Sequence, residues 1–138
     1  MNEQNYYRIS VKGIVVDKSG RFLLSKEASG FWELLGGGLD HNEDPISGLK
    51  REIKEETGLE VTWVSESPQY FITAQRLNHQ SFVANVIYEI RLSSLDFIAS
   101  EECVELRFVS IEEAKKLKLF PNVEQFLEVF DPKLHPLS

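Results

Sequence analysis

The sequence predicts an α/β protein of the α+β kind, in which helices pack on the faces of a mixed β-sheet. Runs rich in β-branched and aromatic residues, typical of strands, lie both before and after a central helical segment. The helix stands between groups of strands and does not alternate with each one, which argues against a doubly wound parallel sheet. With 138 residues, 42% of them hydrophobic, we expect a single domain over residues 1–138 with its own core.

The elements predicted before the central helix are strands followed by a glycine loop. Residues 8–16 and 22–25 are predicted as two strands, and the turn residues between them predict a hairpin. A short strand over residues 32–35 comes next. We expect the three glycines at 36–38 to end regular structure there, because glycine loses the most conformational entropy on ordering.

The central helix has clear boundary signals. Asp44 is predicted as its N-cap, Pro45 as its first helical residue and Gly58 as the residue just past its end. The length is about thirteen residues, or roughly three and a half turns. At 100° per residue, the apolar side chains form one face and the glutamates form the adjoining face.

More strands and two short helices follow. Strands are predicted over residues 59–64, 70–73, 82–92 and 106–109, and the third of these is expected to be central because it is apolar on both faces. Ser110 and Glu113 form a capping-box pattern that opens a helix extending to about Leu119. Pro121 is expected in the first turn of a last helix that ends near Phe130.

Charge and composition exclude several classes of protein. Asp and Glu number 22 against 15 Lys and Arg, which gives a net charge of −7 and argues against a long contact with nucleic acid. Small phosphate substrates remain possible, because divalent cations can lie between two sets of negative charge. No run approaches the roughly 20 apolar residues that span a bilayer, no targeting segment opens the chain, and the single cysteine, Cys103, excludes an internal disulfide. We therefore expect a soluble cytoplasmic protein with no membrane partner.

Three glutamates of the helix suggest a metal site. Glu52, Glu55 and Glu56 are neighbours on one helical face, and only Arg51 is placed to pair with them. Mg²⁺ binds carboxylate oxygens and keeps positions open for water and phosphate, so a surplus of carboxylates suits it. A solvated acidic face is the alternative explanation, and the glutamates alone do not exclude it. The adjacent glycines, which let backbone approach a metal or phosphate closely, favour the metal site.

Taken together, the segment from Gly37 to Leu59 resembles the Nudix box. Gly37 is followed after five residues by Glu43, and after seven more by Arg51-Glu52-Ile53-Lys54-Glu55-Glu56-Thr57-Gly58-Leu59. Every fixed position of the family pattern G-x5-E-x7-R-E-U-x-E-E-x-G-U is met. Leu35 and Asn42 stand where many members have proline and glycine, but neither is a fixed position. The resemblance implies an α/β/α sandwich with a mixed sheet flanked by helices.

The resemblance also implies an activity and roles for residues. Nudix hydrolases use Mg²⁺ or Mn²⁺ to cleave a nucleoside diphosphate linked to another group, X, by attack of water on a diphosphate phosphorus. By the same resemblance, Glu52, Glu55 and Glu56 bind the metal, with the carbonyl of Gly36 or Gly37 as a further ligand. Arg51 orients these carboxylates and Glu43 is its second partner.

The resemblance leaves the general base and the substrate open. Glu55 is our first choice of base, while Glu101 or Glu102, before the strand at 106–109, is the alternative base or further metal ligand. Asn122 resembles the asparagine that MutT-like members offer to a purine, although it equally fits a helix start. Aromatic residues that could stack on a base are Tyr6, Tyr7, Phe31 and Phe120.

Three hypotheses of function remain after this reasoning. The first is a pyrophosphohydrolase of nucleoside triphosphates or similar small nucleotides. The second is a Nudix-fold module that senses a nucleotide without cleaving it, against which the intact box glutamates argue. The third is a pyrophosphohydrolase of RNA 5′ ends, against which the acidic charge argues. Membership of the family also makes a homodimer possible.

Overall fold

The computed structural model describes residues 5–135. Its strands are β1 (Tyr7–Ile14), β2 (Phe22–Lys26), β3 (Trp32–Glu33), β4 (Leu35–Gly38), β5 (Val61–Val64), β6 (Tyr70–Gln75), β7 (Phe82–Leu92) and β8 (Glu105–Val109). Its helices are α1 (Pro45–Thr57), α2 (Ile111–Ala114) and α3 (Pro121–Val129), followed by a 3₁₀ turn at Pro132–Leu134.

The larger sheet is mixed, and β7 is its central strand, as predicted. β7 pairs in parallel with β1 on one side and antiparallel with β5 and β6 on the other. β4 adds to the free side of β1 in antiparallel orientation. Helix α1 packs over β4 and β1, while α3 packs on β6. The predicted fold class, a mixed sheet flanked by helices, is therefore confirmed.

The predicted hairpin between the first two strands is wrong. β2 pairs with β3 and β8 in a second, antiparallel sheet. Only their ends meet, through a bridge between Val16 and Phe22 and a hydrogen bond from Leu23 N to Val15 O of 3.0 Å. The physical reason is that β4 and β7 occupy both edges of β1, which leaves no edge free for β2.

The prediction that the glycines end regular structure is also wrong. Gly36, Gly37 and Gly38 form most of β4 and pair with β1 from Lys12 to Ser10. Gly36 has a φ of +122°, a conformation that L side chains rarely adopt. The strand forms because β1 supplies hydrogen-bond partners, and this tertiary pairing outweighs the poor strand propensity of glycine.

The helix predictions hold at five of their six boundaries, including the start of α3 at Pro121 and its end next to Phe130, and fail at one. The side chain of Asp44 accepts a hydrogen bond from Ser47 N over 3.1 Å, and Gly58, with a φ of 75°, closes α1. The capping box of Ser110 is present in α2. However, α2 ends at Ala114, well before Leu119. Residues 118–120 are extended because their backbone pairs with Trp32 of β3.

Two hydrophobic clusters form the core. One lies beneath α3 and includes Phe22, Ile87 and Phe126, while the other lies beneath α1 and includes Leu49 and Ile53. No helix within residues 5–135 is long and apolar enough to cross a membrane.

The end of the described chain is held against the sheet by a buried histidine. His135 is 2% exposed; its Nε2 lies 2.7 Å from the Tyr70 hydroxyl and its Nδ1 lies 2.6 Å from Glu89 Oε1. Both ring nitrogens therefore have partners, and His135 is a satisfied core residue.

Candidate active site

The acidic face of α1 lies against the glycine strand β4. Because Gly37 has no side chain, the Glu52 carboxylate packs against its backbone; a Cβ added at Gly37 would lie 2.5 Å from Glu52 Oε2. The backbone N–H of Gly36 donates to Glu56 Oε1 over 3.1 Å. Two of the three glutamates from the sequence pattern thus reach the same short stretch of backbone.

Arg51 is hydrogen-bonded to three carboxylates at once. Its Nε and Nη2 donate to the two oxygens of Glu43 over 2.7 and 2.9 Å. Its Nη1 donates to Glu52 Oε1 over 3.0 Å and to Glu55 Oε2 over 3.3 Å, and its Nη2 also reaches the Gly38 carbonyl over 3.3 Å. A planar guanidinium suits such bidentate pairing. The structure therefore brings Glu43, Arg51, Glu52 and Glu55 into one network.

The electrostatics of this network follow from the Arg51–Glu43 pair. The Arg51 hydrogen bond lowers the pKa of the Glu43 carboxyl to about 2. In return, Glu43 raises the pKa of the guanidinium, with a further contribution from Glu52. Because Arg51 stays charged at every accessible pH, it limits the repulsion among the carboxylates around it.

Glu56 differs from the other glutamates of the cluster because its carboxyl is poorly solvated. Burial raises the pKa of Glu56 to about 8, and the charges of Glu102 and Glu52 add to the effect. The charge of Lys12 and the N–H of Gly36 act in the opposite direction. A carboxyl in these surroundings favours the protonated form near neutral pH unless a cation approaches.

The segment that contains Glu101 and Glu102 lies beside the end of α1. Both side chains are exposed, and Glu102 is near enough to Glu56 for its charge to raise that pKa. The Ser100 hydroxyl donates to the Glu56 carbonyl over 2.9 Å.

Cys103 is fully buried, and burial raises the pKa of its thiol to about 11. This cysteine is a core residue with no thiolate reactivity at neutral pH.

The chemistry of the side chains fits a hard divalent cation. The available donors are carboxylate oxygens of Glu52, Glu55 and Glu56, with backbone carbonyls of β4 beside them, and Mg²⁺ and Mn²⁺ prefer such oxygen ligands. Within residues 5–135, no three acidic, His or Cys side chains are close enough in their present rotamers to hold an ion. Glu52 and Glu55 point toward Arg51 instead, over contacts of 3.0 and 3.3 Å.

A cavity of about 330 Å³ has Gly38 of the glycine strand in its wall. Arg8, Ser10 and Lys12 line it, and they alternate along β1 with Val11, which packs beneath α1. The cavity therefore lies on the face of the sheet opposite α1. Gly38 connects the two regions, because it lines the cavity while its carbonyl binds Arg51.

Asn122 lines this cavity and is 6% exposed. It is the second residue of α3, so it also occupies the helix-start position that its sequence context allowed. Its Nδ2 donates to Glu33 Oε1 over 2.7 Å and to Asn85 Oδ1 over 3.3 Å. Neither contact is a helix cap, so the amide takes part in a buried polar network.

Sequence reasoning missed Lys12, Glu33 and Asn85. Lys12 is 5% exposed and its Nζ donates to the carbonyls of Leu34 and Gly36, over 3.4 and 3.2 Å. Asn85 is fully buried within β7, and its Nδ2 is the one buried side-chain polar atom without a hydrogen-bond partner in residues 5–135. The available signal was a polar residue beside apolar neighbours, since Lys12 follows Val11 in β1 and Asn85 lies between Ala84 and Val86 in β7. Burying a polar residue is costly unless its polar atoms are bonded or have a role.

The aromatic candidates divide between the cavity and other surfaces. Phe120 lines the cavity, and the ring of Phe31 lies 5.2 Å from it. Tyr7 packs edge-to-face against Phe82 instead, with ring centroids 5.8 Å apart, and it points to the opposite face of β1 from the cavity residues. Tyr6 is 78% exposed and does not line the cavity.

Comparison with known proteins agrees with this architecture. The NUDIX domain family model matches residues 6–130. A CTP pyrophosphohydrolase of Escherichia coli (strain K12) is 28% identical over 131 residues, which cover 88% of this chain and 90% of that protein. The MutT protein of Methanosarcina mazei Go1 superposes with a TM-score of 0.71 at 24% identity, covering 98% of this chain and 100% of the other.

Similarity to another relative is stronger but more local. A MutT-like protein of Streptomyces ambofaciens is 46% identical over 56 residues, which cover 40% of this chain and only 36% of the relative. The match to the family model spans nearly the whole described chain. The chain therefore belongs to the Nudix hydrolase family.

Proposed function

We propose that this protein hydrolyses the diphosphate linkage of a nucleoside triphosphate or a similar small nucleotide, with water attacking phosphorus in the presence of Mg²⁺ or Mn²⁺. The observation that carries the proposal is the Arg51 network, which holds Glu43, Glu52 and Glu55 beside the glycine strand and next to a cavity with Arg8 and Lys12 on its wall. A cluster of carboxylates that can bind a metal, near a cavity whose wall carries Arg8, Lys12 and Arg76 as well as two glutamates, suits a metal-bound phosphate chain.

The acidic residues have distinct roles in this proposal. Glu52, Glu55 and Glu56 would hold the metal with the Gly37 carbonyl, and Glu102 is a further candidate ligand. The bound ion would neutralise the phosphate oxygens and acidify the attacking water. Arg51 and Glu43 orient the carboxylates, and Glu55, whose side chain is 59% exposed, can take a proton from water.

The cavity is the proposed site of the nucleoside. Phe120 supplies an aromatic surface, Phe31 supports it, and Asn122 contributes a polar group at the cavity wall. The Escherichia coli relative, which matches over most of both chains, is a CTP pyrophosphohydrolase, so its substrate is a nucleoside triphosphate. This supports a nucleoside triphosphate over a nucleotide sugar. The cytoplasmic location and the homodimer stay predictions.

A panel of substrates tests the proposal. Purified protein with Mg²⁺ is incubated with the common nucleoside triphosphates, nucleotide sugars, dinucleotides and a 5′-triphosphorylated RNA, and release of phosphate, pyrophosphate and nucleotide is measured. We expect turnover of nucleoside triphosphates that stops when EDTA is added. Tight binding without turnover of any compound would favour the sensing module, and turnover of the RNA alone would favour the RNA 5′-end hydrolase.

The buried carboxyl of Glu56 leads to a test that needs no substrate. Its pKa of about 8 lies above the ordinary value near 4.3, so the folded protein binds a proton that the unfolded chain has lost. In EDTA, the free energy of unfolding is therefore expected to fall as pH rises from 5 to 8, by on the order of 2 kcal/mol. Urea unfolding at several pH values measures this decrease in the free energy of unfolding.

The control for this measurement is Glu56→Gln, which cannot ionise. We expect the variant to lose most of the pH dependence. Mg²⁺ should restore the stability of the natural protein at pH 8, because a bound cation favours the ionised carboxylate. A natural protein in EDTA that is equally stable at pH 5 and pH 8 would contradict the assignment of Glu56 to a buried cation site.

A further inference from the structure

Lys12 is a buried cation in the middle of β1. Its side chain is 7% exposed, and its Nζ donates to the carbonyls of Leu34 and Gly36 over 3.4 and 3.2 Å. The carboxylate of Glu33 lies on another side, with Oε1 3.8 Å from the ammonium. Burying an ammonium removes its hydration, and hydrogen bonds and opposite charges have to offset that loss. Lys12 is therefore a fixed charge, held in one place by these neighbours.

The backbone of Gly36 connects Lys12 to Glu56. The Gly36 carbonyl accepts from Lys12 Nζ over 3.2 Å, and the Gly36 N–H donates to Glu56 Oε1 over 3.1 Å. Burial raises the pKa of Glu56, and the charge of Lys12 acts in the opposite direction, which places the two charges near each other. Lys12 thus acts on a proposed metal ligand, Glu56, and on a carbonyl that the family resemblance gives as a candidate ligand.

Lys12 and Arg51 act on different parts of the acidic cluster. Arg51 donates to three other carboxylates of the cluster, and its side chain is 30% exposed. Lys12 acts on Glu56 from a position with far less contact with solvent. Water and salt screen a buried charge much less than an exposed one. The Lys12 ammonium therefore opposes the entry of a divalent ion beside Glu56 more strongly than a surface lysine would.

We propose that Lys12 is a resident cation of the active site, which offsets the charge of Glu56 in the metal-free protein and makes binding of a divalent ion depend on the nucleotide. The physical reason is the balance of charge. A free ion would have to bind beside an ammonium, whereas the phosphates of a nucleotide bring negative charge that compensates for both cations. Lys12 is a positioning residue that acts through Glu56 and the Gly36 carbonyl. The inference rests on the proposed function, because it takes Glu56 as a metal ligand.

A purely structural role for Lys12 is the alternative, since the same hydrogen bonds fasten β4 to β1. The two roles differ in the sign of one effect. Loss of a fastening residue loosens the groups around Glu56 and weakens metal binding. Loss of a repelling charge strengthens metal binding instead.

The affinity of the metal-free protein for Mn²⁺ alone, measured by electron paramagnetic resonance near neutral pH, tests the proposal. Lys12→Gln removes the charge but keeps an N–H donor for the carbonyls of β4. We expect this variant to bind Mn²⁺ at least about 10-fold more tightly than the natural protein. Lys50→Gln, at an exposed position of α1, is the matched control. It changes the net charge equally, but solvent screens its charge, so the Mn²⁺ affinity should change by less than about 2-fold.

A second measurement uses the natural protein and needs no variant to fold. The affinity for Mn²⁺ is measured with and without the α,β-methylene analogue of a nucleoside triphosphate, with a correction for the Mn²⁺ that the analogue binds by itself. We expect the analogue to raise the affinity of the natural protein by at least about 10-fold, and that of Lys12→Gln by a smaller factor. Equal affinities of the natural protein with and without the analogue would overturn the inference.

The outcomes separate this inference from the proposed function. Mn²⁺ binding to Lys12→Gln that is no tighter than in the natural protein, with thermal unfolding showing that the variant is folded, would overturn the resident cation and leave a hydrolase seen in the substrate panel intact. Tighter Mn²⁺ binding by the variant without hydrolysis of any panel compound would support the resident cation and reject the hydrolase. Absence of Mn²⁺ binding by both proteins, with or without the analogue, would overturn both.

Discussion

Replacing Gly36 by alanine is expected to lower the free energy of unfolding by about 3 kcal/mol or more. The new Cβ would lie 2.1 Å from the Val11 carbonyl oxygen and 2.9 Å from Lys12 Cα. Both atoms belong to the backbone of β1, which β7 holds along its length, so neither can move aside. The residue would also keep a φ of +122°, which is unfavourable for alanine.

Gly30→Ala is the matched control, because Gly30 has a φ of +94° but nothing within 4 Å of its added Cβ. Only the unfavourable backbone conformation contributes there, and we expect the free energy of unfolding to fall by about 1 to 2 kcal/mol. Guanidinium unfolding of both variants measures the difference. Equal losses in the two variants would show that β4 can separate from β1 at little cost. The close packing of the glycine strand would then contribute little to the free energy of unfolding.

Replacing Glu55 by glutamine is expected to lower kcat by at least about 10²-fold while the fold is preserved. Glutamine keeps the shape of the side chain but removes its negative charge and its capacity to accept a proton. The folding cost should be small, because Glu55 is 59% exposed and its contacts in the network are two long hydrogen bonds from Arg51 Nη1, of 3.3 and 3.5 Å. Steady-state kinetics with the best substrate of the panel, together with thermal unfolding, measures both effects.

The control is Glu66→Gln, which removes an exposed carboxylate outside the cluster and should leave kcat unchanged. Near-normal turnover in Glu55→Gln would contradict its assignment as general base. In that case Glu101→Gln and Glu102→Gln distinguish the remaining candidates, since both carboxylates are exposed beside the end of α1. A large loss in either variant would move the base to that segment.

The sequence predicted helix α1 well because the signals that set its two ends are local. Asp44, Pro45 and Gly58 set the limits of α1 through contacts within a few residues of each helix end. Once the helix exists, its periodicity places Glu52, Glu55 and Glu56 on neighbouring positions. The placement of Arg51 beside them follows from the same periodicity, and the contacts with Glu52 and Glu55 are observed.

The strand made of glycines could not be predicted from its own residues. Glycine has a poor intrinsic strand propensity, and β4 exists because β1, some 25 residues earlier in the chain, supplies its hydrogen-bond partners. The hairpin failed for the related reason that β1 has both edges occupied by strands from elsewhere in the sequence. Pairing choices of this kind depend on competition among all strands of the chain.

What the sequence by itself determined is the membership of the Nudix family, the helix that bears the glutamates and the kind of chemistry those glutamates support. Only the tertiary structure brought Glu33, Asn85 and Asn122, which stand 37 and 89 residues apart, into one polar network beside a cavity. The physical reason is the distance along the chain over which each kind of signal acts. Helix caps and side-chain spacing act over one or two turns, whereas this network is assembled from β3, β7 and α3, which share no local signal.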